Sequence, residues 1–230
     1  MKNSIRLTGL LFALGCSSQK TETQNDTASN TDESDSAELS ETGTPTDTHT
    51  DTEPPAIAVG DFHEGGVVFY LDDTGFGLIA SVFDAGMADW AMLYASVPGA
   101  YGEGIGEGQS NTQNAVDHFS GGSDTYAVHL CDNATDGGQS DWFLPSKEEL
   151  WEMLLQQDAI DAQAAQRGGD MIEDSRFYWS STQSDSDPRY VHGAYSELFD
   201  TSGNSVGPYA ATNSKNESMY VRPVRSFQAD

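Results

Sequence analysis

Basic residues are scarce in this 230-residue sequence, and their scarcity excludes one class of partner. Ten Lys and Arg residues face 37 Asp and Glu, which gives a formal net charge of −27 at pH 7. Residues 57–230 alone carry 27 acidic against seven basic side chains. Such a chain repels phosphate backbones and lacks the cations that release counterions from nucleic acid. We therefore expect no nucleic-acid partner, whereas cationic partners, metal ions and neutral polymers stay open.

Cysteine is almost absent as well. The chain has two cysteines, Cys16 and Cys131, and only Cys131 lies in the part that we expect to fold. One thiol cannot form an internal disulfide, so packing of a hydrophobic core must hold the folded part together. The same count leaves no paired-thiol metal or redox site.

No apolar run is long enough to span a bilayer, but a short one begins the sequence. Lys2 and Arg6 precede the apolar stretch Leu7 to Leu14, a pattern typical of a signal peptide. The stretch continues as Gly15-Cys16, which resembles the lipobox of bacterial lipoproteins. We predict a lipoprotein signal peptide over residues 1–16, with Cys16 lipidated; the alternative is an ordinary signal peptide with an accidental cysteine. Ser17 after the cysteine resembles an outer-membrane sorting signal.

Residues 17–56 lack the side chains that a folded segment needs. They contain no aromatic residue, and ten acidic side chains accompany a single base, Lys20. A segment of this composition cannot bury enough surface to offset its conformational entropy. We predict a disordered, acidic linker over residues 17–56 and a single folded domain over residues 57–230.

The order of hydrophobic patterns predicts an α+β domain. Gly66–Leu71 and Gly77–Val82 flank a turn and are typical of a β-hairpin. Two short helical segments follow, at Thr112–Phe119 and Tyr126–Cys131, and then one longer helix. Strands are predicted to close the chain at Phe177–Thr182, Val191–Leu198 and Met219–Phe227. A hairpin followed by helices and then by strands is an α+β arrangement.

The longer helix has the clearest start signal. Ser146 and Glu149 have the spacing of a capping box, in which each side chain bonds the backbone N–H of the other residue. Arg167-Gly168-Gly169 marks the latest point at which this helix ends. Its apolar residues cover more than one narrow face, so we expect the helix to be well buried through Leu150, Trp151, Met153, Leu154 and Leu155.

Four blocks of the folded part resemble one known family. They are, in order, Gly65–Tyr70, Asp141–Leu150, Tyr178–Thr182 and Tyr220–Arg225. Together they resemble the C-terminal domain of bacterial collagen-like adhesins, the Lcl C-terminal domain, over about residues 60–227. The resemblance implies a C-type-lectin-like fold, distantly similar to that of formylglycine-generating, sulfatase-modifying enzymes. It also implies a secreted or surface protein that contributes to adhesion.

This sequence departs from both relatives in the residues that carry their chemistry. Adhesin members that hold sulfated polysaccharides use basic surface groups, whereas this domain is strongly acidic. Formylglycine-generating enzymes hold copper with a pair of cysteines, whereas Cys131 stands alone. These departures put both anionic-glycan binding and oxidase chemistry in doubt.

Two tryptophans and one arginine are candidates for ligand contact. Trp142 and Trp179 could form a platform for the CH face of a sugar, but their apolar neighbours favour a place in the core. Arg222 could bind a ligand, but the many acids favour a structural ion pair for at least one of Arg222 and Arg225. The expected partner is Glu149 or Asp141.

Asp132, Asp136 and Asp141 are the candidate ligands of a calcium ion. They lie in a run that also contains Asn, Gly and Ser, which concentrates oxygen atoms around a turn. Ca²⁺ takes six to eight oxygen ligands, which acidic loops often supply. The spacing is not that of an EF-hand, and such clusters are also ordinary turn chemistry. Calcium is therefore the one cofactor that stays open.

No arrangement of residues predicts catalysis. The five histidines are scattered, and Ser180-Ser181 lacks the glycine-framed turn of a nucleophile elbow. We therefore predict a non-enzymatic, surface-exposed outer-membrane lipoprotein, which binds a glycan or a surface protein with or without calcium. Two alternatives stay open, an enzyme derived from formylglycine-generating oxidases and a structural component of the envelope.

Replacing Cys16 with serine tests the anchor. Acylation requires the thiol, so the full-length protein should incorporate labelled palmitate in a bacterial host, and the Cys16→Ser variant should not. The Cys131→Ser variant keeps the lipobox and should be labelled like the wild type. Label that persists in the Cys16→Ser variant would contradict the prediction.

Overall fold

A computed structural model of the chain describes residues 56–120, 125–172, 176–184, 189–195 and 209–229. The predicted signal peptide with Cys16 and the predicted linker, except for Ala56, lie outside the described residues. Residues Glu53–Asp230 form one compact unit with its own hydrophobic core. The described part is α+β, which confirms the fold class that the sequence predicts.

Nine strands and four α-helices make up the described part. The strands are β1 (Phe62–His63), β2 (Gly66–Leu71), β3 (Phe76–Ser81), β4 (Gly86–Asp89), β5 (Phe177–Gln183), β6 (Tyr190–Tyr195), β7 (Tyr209–Ser214), β8 (Ser218–Val221) and β9 (Val224–Gln228). The helices are α1 (Gly108–Phe119), α2 (Ala127–Asp132), α3 (Lys147–Leu155) and α4 (Gln157–Arg167), with a 3₁₀ turn at Asp136–Gly138.

The strands form two sheets. The first has the order β1-β2-β3-β9 and the second the order β4-β8-β5-β6-β7. All pairs are antiparallel except β5 and β8, which run parallel. The predicted hairpin, now β2 and β3, is confirmed. The single strand predicted at Met219–Phe227 is wrong, because the chain passes from one sheet to the other at Arg222-Pro223, where proline has no N–H for a ladder.

Other boundaries differ for local reasons. Strands β1, β4 and β7 were not predicted: β1 has two residues, and β4 and β7 contain few large apolar side chains. Helix α1 begins at Gly108, four residues before the predicted start, and its N-cap Glu107 makes no side-chain cap bond. Strand β6 ends at Tyr195, and residues 196–198 of the predicted strand lie outside the described residues.

The predicted capping box of α3 is present. Ser146 Oγ accepts from the Glu149 N–H at 3.2 Å, and Glu149 Oε2 accepts from the Ser146 N–H at 2.7 Å. Helix α4 follows almost directly and ends before Gly168, whose φ of 68° is the left-handed conformation that glycine adopts freely.

The expected burial of α3 is only half right. Leu150, Met153 and Leu154 are buried, at the i, i+3 and i+4 spacing of one helix face. Trp151 is 37% exposed and Leu155 is 50% exposed, because both lie outside that face. The helix therefore presents two large apolar side chains to solvent.

Two large hydrophobic clusters form the core. One packs the first sheet against α3 and α4, and its members include Val67, Leu78 and Leu150. The other packs the second sheet against α1 and α2, and it includes Trp90 and Trp179. Each sheet therefore buries one face under a pair of helices.

A buried lysine holds the segment after β4 against the second sheet. Lys215 is fully buried, and its ammonium group donates to the Ala95 carbonyl oxygen and to Gln183 Oε1. Its Nζ lies 4.6 Å from the centroid of the Trp90 ring. Within the described residues no carboxylate pairs with it, and burial lowers its pKa to about 8. We infer a structural role, in which one cation anchors two carbonyl groups and an aromatic ring.

The depressed pKa of Lys215 predicts that stability rises with pH between about 8 and about 10.4. In this window the unfolded lysine keeps the proton that the folded lysine has lost, so the free energy of unfolding increases, by at most about 1.4 kcal/mol per pH unit. Urea denaturation of the Glu53–Asp230 fragment across the window measures the slope. Lys215→Met should remove this contribution, and Lys147→Met, at a partly exposed lysine, should keep it. Equal slopes in the wild type and Lys215→Met would contradict the assignment.

Candidate functional site

The glycine-rich loop of residues 102–108 lies against the N-terminus of α3. Ser146 Oγ donates to the carbonyl oxygens of Glu103 at 3.1 Å and Gly104 at 2.8 Å. The backbone N–H of Glu148 donates to the same Glu103 carbonyl at 2.9 Å. The first turn of a helix has N–H groups without intrahelical partners, and here the loop satisfies one of them.

A buried carboxylate holds the other half of this loop. Glu149 is fully buried; its Oε1 accepts from the N–H groups of Gly106 at 2.8 Å and Gly108 at 3.4 Å, while Oε2 accepts from Ser146. Burial raises the pKa of this carboxyl, and the three amide donors oppose that rise. A Cβ atom at Gly108 would lie 2.1 Å from Glu149 Oε2, so only glycine fits there.

A cleft opens between the loop and the exposed side of α3. It has a volume of about 340 Å³, within the range of small-ligand sites. Its lining is one residue of the loop and four residues of the first two turns of α3: Ile105, Lys147, Glu148, Trp151 and Glu152. We call it the Trp151 cleft. Its two walls are the elements that Ser146 and Glu149 hold together.

The charges of the Trp151 cleft are unbalanced. Lys147 forms an ion pair with Glu103 at 2.5 Å, so its charge is already compensated. Glu148 is exposed and Glu152 is half-buried, and neither carboxylate has an ion-pair partner among the described residues. They lie one helical turn apart, and Trp151 also lies one turn from Glu148. The cleft thus combines an indole face, an aliphatic wall and two free carboxylates.

Trp142 and Trp179 lie in the hydrophobic core. They are 2% and 0% exposed, and their indole N–H groups donate to the backbone carbonyls of Asp136 and Ala88, respectively. A buried tryptophan with its N–H satisfied has no face to offer to a sugar. The geometry therefore favours the core alternative over the platform that the sequence also allowed.

Both arginines form structural ion pairs. Arg222 is buried and donates to Asp84 at 2.7 Å and to the carbonyls of Ser81 and Asp170 at 2.9 Å each. Its partner is thus Asp84 and not Glu149 or Asp141. Arg225 pairs with Asp141 through two hydrogen bonds, at 2.8 and 2.9 Å, and also with Glu64. Asp141 was an expected partner, and the Arg225 guanidinium lowers the pKa of its carboxyl.

The three predicted calcium ligands do not converge. Asp136 accepts from the Ser81 hydroxyl at 2.6 Å, and both oxygens of Asp141 accept from Arg225. Asp132 and Asp141 line a separate, smaller cleft of about 140 Å³ that does not include Asp136. In the described ranges no three His, Cys, Asp or Glu side chains group in a way that would hold a metal ion. The calcium site stays a prediction.

Cys131 is not a candidate nucleophile in this fold. It is fully buried in the second cluster, and burial raises the pKa of its thiol well above the ordinary value. A thiol in such surroundings stays protonated, and the thiolate is the reactive form. The side chain therefore packs as a small apolar residue.

The residues of the Trp151 cleft were not among the predicted site residues. Trp151 was expected to be buried, and no binding role was predicted for Ile105, Glu148 or Glu152. Helical periodicity could have predicted the exposure of this wall of the cleft. When Leu150, Met153 and Leu154 form the buried face of α3, positions 148, 151, 152 and 155 face outward. The loop that forms the second wall comes from far along the chain and gives no such signal.

Comparison with known proteins returned no matching family model and no matching curated protein. The resemblance to the adhesin C-terminal domain therefore stays a prediction. Of the helices that the structure describes, none is both long enough and apolar enough to cross a membrane.

Glutamine at position 149 tests the buried carboxylate. It has the same shape, but its NH₂ group would face an N–H donor, so one of the three amides loses its acceptor. We expect Glu149→Gln to lower the free energy of unfolding of the Glu53–Asp230 fragment by about 1–3 kcal/mol in urea denaturation. Glu148→Gln, at an exposed neighbour, should change it by no more than about 0.5 kcal/mol. Equal stability of the two variants would show that Glu149 does not hold the loop.

Proposed function

We propose that this chain is a non-enzymatic recognition module of the bacterial cell envelope, with a C-type-lectin-like fold, that binds a glycan in the Trp151 cleft. The observation that carries the proposal is the side chain of Trp151, which is 37% exposed and lines a cleft of about 340 Å³. Large apolar side chains at concave sites with a few polar groups are typical of ligand pockets.

The lining suits a sugar. The CH groups of a pyranose ring present an apolar face that can stack on the Trp151 indole, and hydroxyl groups at the ring edge are donors. Carboxylates are acceptors only, so Glu148 and Glu152 can receive such hydroxyl groups. Ile105 closes the opposite wall with an aliphatic side chain. Stacking and edge hydrogen bonds together fix the position and the orientation of one ring.

Glycoside hydrolysis uses two carboxyl groups that flank the scissile bond, whereas the two carboxylates of this lining, Glu148 and Glu152, lie on one helix; this placement supports binding without catalysis. The residues that line the Trp151 cleft include no Ser, Thr, Cys or His side chain. The thiol on which an oxidase would depend, Cys131, is buried away from solvent. The burial of this thiol counts against the oxidase alternative.

A lipid anchor accounts for the N-terminal segments. Acylation at Cys16 would fix the chain to the outer membrane, since two or more acyl chains give stable attachment. A disordered linker of the predicted length would span roughly 35 Å as a flexible coil. The recognition domain would then stand at the cell surface, free to reorient toward a glycan on another surface.

Glycan and protein arrays probed with the Glu53–Asp230 fragment test the proposal. We expect a set of glycans to bind, and we expect Trp151→Ala to weaken that binding about tenfold or more, because it removes the stacking surface. Met171→Ala truncates another exposed apolar residue, outside the cleft lining, and should bind like the wild type. The proposal would be contradicted if the fragment bound no glycan on the array, or if Trp151→Ala bound the same glycans as tightly as the wild type.

A comparison with and without calcium distinguishes binding in the Trp151 cleft from binding at the acidic turn that contains Asp136. The arrays are repeated with calcium and with a chelator, for the wild type and for Asp136→Asn. Binding in the Trp151 cleft should be equal in both conditions, because no predicted calcium ligand lines it. Binding that requires calcium and is lost in Asp136→Asn would place the ligand at the acidic turn instead.

A further inference from the structure

We propose that the sugar seated in the Trp151 cleft carries a free, protonated amine. This inference rests on the proposed function and names the class of its ligand. It follows from three features of the cleft: its uncompensated charge, its single indole face and the apolar strip that continues beyond it.

The uncompensated charge favours a cation. Glu148 and Glu152 have no ion-pair partner in the described part of the chain, while the one lysine of the lining is paired with Glu103. The net charge of the surrounding domain is also negative, since residues 57–230 carry 27 acidic and seven basic side chains. A cleft of one charge sign concentrates ligands of the opposite sign and repels those of its own. Sulfated and carboxylated sugars are disfavoured for the same reason.

The indole face favours a ring that bears the cation. An ammonium group near the face of a tryptophan is attracted by the ring quadrupole, and the CH face of the sugar stacks on the same surface. In a hexosamine with a free amine, the ring and the charge belong to one rigid unit. Stacking on Trp151 therefore holds the ammonium group in the cleft that Glu148 and Glu152 also line.

The apolar strip favours a polymer of such rings over a basic peptide. Leu155 lies one helical turn beyond Trp151 and is 50% exposed, so it extends the apolar surface along α3. The CH faces of successive sugar rings can pack along this strip. A flexible lysine side chain would instead be covered on one side only, by a single indole. A second copy of this acidic chain would be repelled by its own charge.

Calorimetric titration of the Glu53–Asp230 fragment tests the inference with two oligosaccharides of equal length. One is a β-1,4-linked glucosamine oligomer with free amines, and the other is its fully N-acetylated form. We expect the free-amine oligomer to bind at least about tenfold more tightly. Its affinity should fall when the pH is raised until the amines lose their protons, while the affinity for the N-acetylated oligomer should not change.

Two sets of variants assign the preference to named residues. The Glu148→Gln/Glu152→Gln double variant keeps the indole and should bind both oligomers about equally. Glu217→Gln changes an exposed acid outside the cleft lining and should keep the preference. Thermal unfolding of each variant confirms that the fold is intact.

Equal binding of the two oligomers by the wild type would overturn the inference, and so would a preference that survives in the double variant. A lysine oligomer of equal charge that binds as tightly as the free-amine sugar would also overturn it, because the cleft would then select only for charge. One outcome separates the inference from the proposed function. If the wild type binds the two oligomers equally well and Trp151→Ala binds neither of them, the amine preference fails while the proposed glycan binding in the cleft stands. Tight binding that persists in Trp151→Ala would refute both.

Discussion

One buried carboxylate determines the geometry of the candidate site. A charged group inside a protein is costly unless hydrogen bonds compensate it, and Glu149 receives three from backbone N–H groups. The donor at Gly108 begins α1, so Glu149 also supplies the cap that Glu107 does not provide. Because Ser146 and Glu149 start α3 as well, the same two residues set the helix, the loop and the distance between them. The Trp151 cleft is the space that this arrangement leaves at the surface.

The scarcity of basic residues has a structural consequence. Arg222 and Arg225 pair with acids at the junctions between elements, and Lys215 is buried without a carboxylate among the described residues. Lys147 pairs with Glu103 beside the cleft. Residues 57–230 carry seven basic against 27 acidic side chains, so ion pairs within the fold leave many surface acids uncompensated. The Trp151 cleft is therefore negative because the few basic residues pair with other groups in the fold.

The features that could be predicted from the sequence are those that depend on neighbouring residues. The capping box at Ser146 and Glu149 follows from four consecutive residues, and the β2–β3 hairpin follows from residues 66–81. The partner of Arg222 could not be predicted, because Asp84 lies 138 residues away. The cleft could not be predicted either, since the contact of loop 102–108 with α3 joins distant segments. Helical periodicity alone would have predicted that Trp151 is exposed. The prediction failed because five apolar residues in one helix suggested that the helix is buried on all sides.

The indole resonances of the four tryptophans give the most direct test of the central claim, which is that ligand binds at Trp151. Trp90, Trp142 and Trp179 are buried, so only the Trp151 side chain is open to a ligand. A ¹H–¹⁵N NMR titration of the Glu53–Asp230 fragment with the free-amine glucosamine oligomer follows the four indole N–H signals separately. We predict a saturable shift of the Trp151 signal while the other three stay in place. A Trp151 signal that does not move while the oligomer binds would contradict the account.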